Sequence, residues 1–229
     1  MKILLGRDDV NPEKPGENGL TPLCFATMWG HEGVVKILLG RDDVNPEKPD
    51  RHGQTPLCFA AEYGQEGVVK ILLGQDDVNP EKPDQWGQTP LCFAAKNGHE
   101  GVVKILLGRD DVNPEKRGER GQTPLCCAAE KGHEEVVKIL LGRGVDPDKC
   151  DENARTPLSF AVENKHEGVV KILLKRGGVN PFTIDYWAQS PLDRAFDGGH
   201  TGIKALLQSI LPTTPSTASE QGDRNLSQL

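Results

Sequence analysis

The apolar residues of this chain fall into two short clusters that recur along most of its length. One cluster follows Thr21 and Pro22, and the other spans Val34–Leu39. Within the second cluster, apolar residues lie four positions apart, as Val34 and Leu38 do, and this spacing places them on one side of a helix. The pattern therefore predicts pairs of short amphipathic helices.

Signals for helix ends flank both clusters. A threonine followed by proline, as at Thr21 and Pro22, is typical of a helix N-terminus, where threonine caps the helix and proline is its first residue. Gly30 lies where a left-handed residue would end the first helix, and Gly40 ends the second helix. Turn-forming residues then fill positions 45–53, which we interpret as an extended finger.

The whole unit repeats with a nearly fixed period. Thr-Pro-Leu begins at Thr21, Thr55, Thr89, Thr123 and Thr156, and Ser-Pro-Leu begins at Ser190, with intervals of 34, 34, 34, 33 and 34 residues. A constant period of this length is typical of repeat proteins, in which each unit packs only against its neighbours. The sequence therefore predicts an all-α repeat solenoid of stacked helix-turn-helix units.

Several blocks of the sequence resemble the ankyrin repeat. They are Thr55–Ala61, Gly98–Leu107 and Asp77–Asn79, and the resemblance covers residues 1–211. It implies stacked ankyrin helix-turn-helix units with projecting β-turn fingers and a concave protein-binding face. Where the family usually has histidine after Thr-Pro-Leu, this chain has cysteine, serine or aspartate, so the hydrogen bonds of that histidine are in doubt. Lys165 replaces a recurrent glycine, and we expect a local irregularity there.

The repeat also sets the expected domain boundaries. Residues 1–14 correspond to the second helix of a partial unit, which suggests a fragment of a longer protein or a truncated gene model. Residues 15–211 form the predicted repeat domain, with five full repeats from about 15 to 182 and a divergent capping repeat at 183–211. Residues 212–229 are rich in Ser, Thr, Pro and Gln and are expected to be a disordered tail.

Composition and charge narrow the classes of partner that this chain is expected to bind. The net charge is −7 and the pI about 5.4, whereas a general binder of nucleic acids or anionic membranes normally carries a positive charge. No apolar stretch approaches the roughly 18 residues of a membrane span, and the N-terminus lacks the pattern of a secretory signal. The six cysteines are therefore interpreted as reduced thiols of an intracellular protein, cytoplasmic or nuclear.

The cysteines and histidines recur as scaffold residues rather than as reactive groups. Cys24, Cys58, Cys92 and Cys126 occur once per unit, and stacked helices lie about 10 Å apart, too far for a disulfide or a shared zinc ion. Histidine recurs at the start of the second helix. No nucleophile elbow or phosphate loop is present. We therefore expect no enzyme activity, no cofactor and no metal, and interpret charged neighbours such as Glu47 and Lys48 as solvated faces.

Differences between the units point to a binding surface. Every Trp and Tyr occupies a variable position, either at a finger tip or at the end of a first helix. Aromatic residues and arginine supply most binding hot spots, although exposed aromatics can also be incidental, and Tyr186 and Trp187 can simply cover the last unit. The predicted partner-binding residues are Trp29, Arg51, His52, Tyr63, Trp86, Lys96, Arg120, Tyr186 and Trp187.

The leading function is a non-catalytic protein-interaction scaffold that works as a monomer and binds a protein partner. The units also resemble ankyrin arrays of large fungal multidomain proteins, which favours a second interpretation, the sensor array of a larger NTPase protein. A third is a substrate-recruiting adaptor, for example in a ubiquitin ligase.

Overall fold

The computed structural model describes residues 11–210, which form twelve short α-helices and two 3-10 turns but no β-strand. The first helix of each unit packs against the first helix of the next, and the second helices form a second layer in the same way. The predicted all-α repeat solenoid is confirmed. The helices are α1 (Pro22–Met28), α2 (Glu32–Leu39), α3 (Pro56–Glu62), α4 (Glu66–Leu73), α5 (Pro90–Asn97), α6 (Glu100–Leu107), α7 (Pro124–Lys131), α8 (Glu134–Gly142), α9 (Pro157–Glu163), α10 (Glu167–Arg176), α11 (Pro191–Asp197) and α12 (Thr201–Ser209).

Each first helix begins at a capping hydroxyl. In α3 the Thr55 hydroxyl accepts a hydrogen bond from the Cys58 N–H at 3.3 Å, and Pro56 is the first helical residue. Proline costs nothing there, because the first N–H groups of a helix have no intrahelical acceptor. The same cap recurs in every first helix from Thr21 to Ser190, which confirms the predicted helix starts.

Aliphatic side chains of both layers form the core. One leucine from each first helix and one from each second helix of the first five units is at most 1% exposed, so the stacking surfaces are dry. These residues are Leu23, Leu57, Leu91, Leu125 and Leu158 in the first layer and Leu38, Leu72, Leu106, Leu140 and Leu173 in the second.

A left-handed turn joins the two helices of each unit and receives a side chain from the next unit. Gly64 has a φ of 71°, and a Cβ placed there would lie 2.5 Å from His99 Nδ1. His99 Nε2 in turn lies 2.8 Å from the Glu62 carbonyl oxygen, to which its N–H donates. Gln65, which replaces this histidine in one unit, donates from Nε2 to the Met28 carbonyl oxygen at 3.1 Å. The recurrent histidine is thus a link between units.

Lys165 changes this link but not the backbone. Its φ of 64° is that of the glycines it replaces, so the turn is retained. Because lysine has a Cβ where those glycines leave space, the histidine of the next unit cannot pack in the same way. His166 still bonds the Glu130 carbonyl oxygen, but within residues 11–210 the His200 side chain makes no hydrogen bond to the preceding unit, and a Cβ placed on Gly198 would lie 2.5 Å from its Nε2. The expected irregularity is therefore in the contact between units.

The family's histidine after Thr-Pro-Leu is replaced by cysteine in four units of this chain. The cysteine thiols make hydrogen bonds between units in its place. Cys58 Sγ accepts from the Thr55 hydroxyl at 3.4 Å and donates to the Lys82 carbonyl oxygen of the next finger at 3.8 Å. Cys24, Cys92 and Cys126 reach the next finger at 3.9, 3.8 and 3.5 Å. Bonds to sulfur are individually weak, but each joins a first helix to the following unit. Burial raises the pKa of Cys58 to about 12, which keeps it a thiol.

The interpretation of the finger charges as separate solvated faces is wrong. Glu47 does not pair with its neighbour Lys48; its carboxylate lies 3.1 Å from Lys82 Nζ and accepts from the Asn79 N–H at 2.6 Å. Both partners belong to the next finger. Equivalent ion pairs join Lys48 to Glu13, Lys116 to Glu81 and Lys149 to Glu115, so a ladder of carboxylates ties successive fingers together.

Two predicted segments cannot be compared with the structure. Residues 1–10 of the partial unit predicted at 1–14, and the disordered tail predicted at 212–229, lie outside the described residues.

Candidate functional site

The aromatic residues at variable positions are all exposed. Trp29, Tyr63 and Trp86 are 67%, 48% and 50% exposed, and Tyr186 and Trp187 are 76% and 60% exposed. Trp29 and Tyr63 are the C-terminal caps of α1 and α3. These rings therefore contribute little to the core.

A buried aspartate holds the finger that carries Trp86. Asp84 Oδ1 accepts hydrogen bonds from the Trp86 N–H at 2.9 Å and the Gln88 N–H at 2.8 Å. The Gln85 N–H also donates to the His52 carbonyl oxygen of the preceding finger at 2.9 Å. The finger tip is therefore fixed by bonds within and between units.

Three of the predicted residues contact one another directly. The rings of His52 and Trp86 stack with centroids 5.4 Å apart and planes inclined by 22°. Arg51 Nε donates to His52 Nε2 at 3.0 Å. The second and third fingers thus present one continuous patch of cation, imidazole and indole.

A cleft of about 360 Å³ opens between this patch and α5. Two predicted residues, Trp86 and Lys96, line it, together with five that the sequence did not identify: Gln54, Asp84, Gln88, Phe93 and Glu119. Asp84 was missed because aspartate recurs at this finger position, and the comparison of units selected only positions that differ. The cleft shows that finger tips and first helices share one surface.

The cleft is acidic. Burial raises the pKa of Asp84, and the charges of Glu119 and Asp50 add to this effect. Burial also raises the pKa of the neighbouring Glu62, although the Gln54 amide and the Lys96 charge act in the opposite direction. Burial is thus the main cause of both raised pKa values, and neighbouring carboxylates add to it.

Arg120 extends the same surface. Its side chain is 71% exposed, and its φ of 54° lies in the left-handed region, which is unfavourable for a residue other than glycine. Arg120 and Lys96 line a further cleft of about 200 Å³. We use the term finger–helix surface for the face that carries Trp29, Arg51, His52, Tyr63, Trp86, Lys96 and Arg120. Tyr186 and Trp187 lie on the last described finger and do not line these clefts.

Residues 11–210 carry no arrangement typical of a metal centre, a membrane span or a disulfide. No group of three or more His, Cys, Asp or Glu side chains among residues 11–210 is arranged to hold a metal ion. None of the helices in that part of the chain is long and apolar enough to cross a membrane. The six cysteines, which all lie in it, are free.

Comparison with protein families gives one match. The matching family model is described as ankyrin repeats in three copies, and it aligns with residues 1–84, 77–151 and 139–215. A search of curated proteins found no match.

Proposed function

Because the chain belongs to the ankyrin repeat family, whose members generally mediate protein–protein interaction, we propose that it is a non-catalytic scaffold that binds a protein partner through the finger–helix surface. The observation that carries this proposal is the exposure of Trp29, Tyr63 and Trp86, while the stacking leucines are buried. Large exposed aromatic side chains of this kind supply binding energy when a partner covers them.

The rigidity of the surface supports the same proposal. The fingers are joined by backbone bonds such as Gln85 N–H to His52 O and by the carboxylate ladder that includes Glu47 and Lys82. A surface that is ordered before binding loses less conformational entropy when the partner docks. The finger tips that carry His52 and Trp86 are therefore positioned by contacts that the partner does not have to provide.

Selection from a displayed random-peptide library tests this proposal. The full chain would be the target, and amide hydrogen exchange would locate each selected peptide. We expect protection at the fingers and first helices, including the segment around Trp86. Peptides that protect only the second helices would contradict the assignment of the binding face.

We further propose that the chain works as a monomer in a reducing intracellular compartment. Its cysteines are free, and Cys58 can donate to the Lys82 carbonyl oxygen only as a thiol. Light scattering of the reduced full chain should give the monomer mass over a range of concentrations. A dimer mass at micromolar concentration would contradict this.

A further inference from the structure

The fifth unit shows how this fold binds a guanidinium group. Asp151 Oδ2 accepts hydrogen bonds from Arg155 Nε at 3.1 Å and from Nη2 at 3.0 Å. The guanidinium carbon lies 4.3 Å from the centre of the Phe160 ring, which supplies a cation–π contact. In the last unit Arg194 likewise donates to Asp185 Oδ2. In both units an arginine of the chain itself pairs with the aspartate at the base of the finger.

The third unit has the same acceptor and ring but no arginine. Asp84 and Phe93 correspond to Asp151 and Phe160, and Gln88 stands where the fifth unit has Arg155. The Gln88 side chain does not reach Asp84; its Nε2 donates to Glu119 Oε2 at 2.8 Å instead. Asp84 is only 6% exposed, and its Oδ2 is buried without a hydrogen-bond partner. Such an oxygen is costly, and a charged donor would relieve that cost.

The surroundings of Asp84 favour a cation that is planar and partly apolar. The cleft carries two carboxylates, Asp84 and Glu119, against one cation, Lys96. Trp86 lines the cleft, is half exposed and offers an indole face. A guanidinium matches these carboxylates and the neighbouring indole better than an ammonium ion does. It combines several donors in one plane with a face that stacks on aromatic rings.

We propose that the cleft of Asp84, Trp86, Phe93 and Glu119 binds an arginine side chain of the protein partner. The proposal rests on the proposed function and names the chemistry that this part of the finger–helix surface recognises. Asp84 Oδ2 and the Glu119 carboxylate accept from the guanidinium, and Trp86 flanks it. Gln88 has to swing aside, since Arg155 occupies the corresponding space in the fifth unit.

The test uses the full chain labelled with ¹⁵N at its tryptophan indoles. The probe is N-acetyl-arginine methylamide, and the control is N-acetyl-citrulline methylamide, which has nearly the same shape but no charge. We expect the Trp86 indole signal, assigned with Trp86→Phe, to shift saturably with the arginine compound while the Trp187 signal stays in place. The citrulline compound should bind at least about tenfold more weakly, because its donors are neutral and form no ion pair with the two carboxylates.

Two variants complete the experiment. Asp84→Asn keeps an oxygen for the Trp86 and Gln88 N–H groups and should weaken arginine binding at least about tenfold. Gln88→Arg should fill the cleft from within, as Arg155 does, and abolish the probe shift without lowering the melting temperature.

Three results would overturn the proposal: no shift of the Trp86 signal, equal shifts with both compounds, or unchanged arginine binding by Asp84→Asn. If any of them occurs while library-selected peptides still protect the finger–helix surface, the arginine site fails and the scaffold function stands. If no selected peptide binds that surface, the proposed function itself fails.

Discussion

His52 stacks on Trp86 across the junction of the second and third units, with the ring centroids 5.4 Å apart. The fingers that carry them are also joined through the backbone, by the bond from the Gln85 N–H to the His52 carbonyl oxygen. Residues 34 positions apart in the chain therefore act as neighbours on one surface. A partner that contacts one finger tip meets an aromatic patch already assembled from two units.

The stacking core should be sensitive to loss of a single leucine side chain. Leu106 is fully buried in α6. Leu106→Ala should lower the free energy of unfolding by about 2–5 kcal/mol, because the neighbouring units cannot close the cavity. Lys104→Ala, on the exposed side of the same helix, should change it by less than about 0.5 kcal/mol. Urea unfolding of both variants checks this, and equal stabilities would contradict the assignment of the core.

Two glycines should respond in opposite directions to alanine. Gly98 has a φ of 75°, and an added Cβ would lie 2.5 Å from His133 Nδ1, so Gly98→Ala should destabilise by about 2 kcal/mol or more. Gly33 lies in α2 with no atom within 4 Å of an added Cβ. Gly33→Ala should stabilise by up to about 1 kcal/mol through helix propensity. Thermal unfolding measures the stability of both variants. A stabilising effect of Gly98→Ala would contradict the left-handed turn at Gly98.

The carboxylate ladder should make stability depend on pH. Hydrogen bonds from Lys149 and from the Asp146 N–H lower the pKa of Glu115. Because the pKa is lower in the folded chain than in the unfolded one, the stabilisation is complete above the ordinary glutamate pKa and is lost as the pH falls through the lowered value.

Glu115→Gln should therefore lose less stability than the parent between about pH 6 and pH 3. Glu134→Gln, on an exposed position of α8, serves as the control and should follow the parent curve. Denaturant unfolding at each pH gives the curves. Parallel losses in the parent and Glu115→Gln would show that this rung does not stabilise the folded state.

One thiol should react much faster than the others. Cys150 is partly exposed, whereas the other five cysteines are buried. Burial also raises the pKa of Cys58 to about 12 and that of Cys126 to about 11, so neither forms the reactive thiolate at neutral pH. A hydrogen bond from Cys127 lowers the pKa of Cys92 to about 7, but Cys92 is only 1% exposed and is shielded from the reagent. Titration with a thiol reagent should show one fast equivalent, which Cys150→Ser removes, and five that appear on unfolding. More than one fast equivalent would contradict the burial of the other five cysteines.

The sequence predicts the fold well because each unit carries its own local signals. Threonine caps such as Thr55 and turn glycines such as Gly64 act within a few residues, so their roles follow from spacing alone. The links between units depend on register in three dimensions. The neighbours Glu47 and Lys48 suggest solvated faces, yet the stack places Glu47 beside Lys82.

The candidate site was predictable only where the units differ. Variation between units identifies exposed residues such as Trp86. It cannot identify Asp84, because aspartate also occupies this finger position at residues 50, 151 and 185 and Asp84 differs in having a buried Oδ2 without a hydrogen-bond partner. That property depends on which side chains face each other, and it requires the structure.

The central claim is that binding and folding are carried by different residues. The most direct measurement is the affinity of a library-selected peptide for the full chain and for Trp29→Ala, Trp86→Ala and Lys70→Ala, with the melting temperature of each variant. Trp29→Ala and Trp86→Ala should each weaken binding by at least about 1 kcal/mol with little change in melting. Lys70→Ala, on the exposed side of α4, should leave both quantities unchanged. Unchanged affinity with a lowered melting temperature in the tryptophan variants would contradict the account.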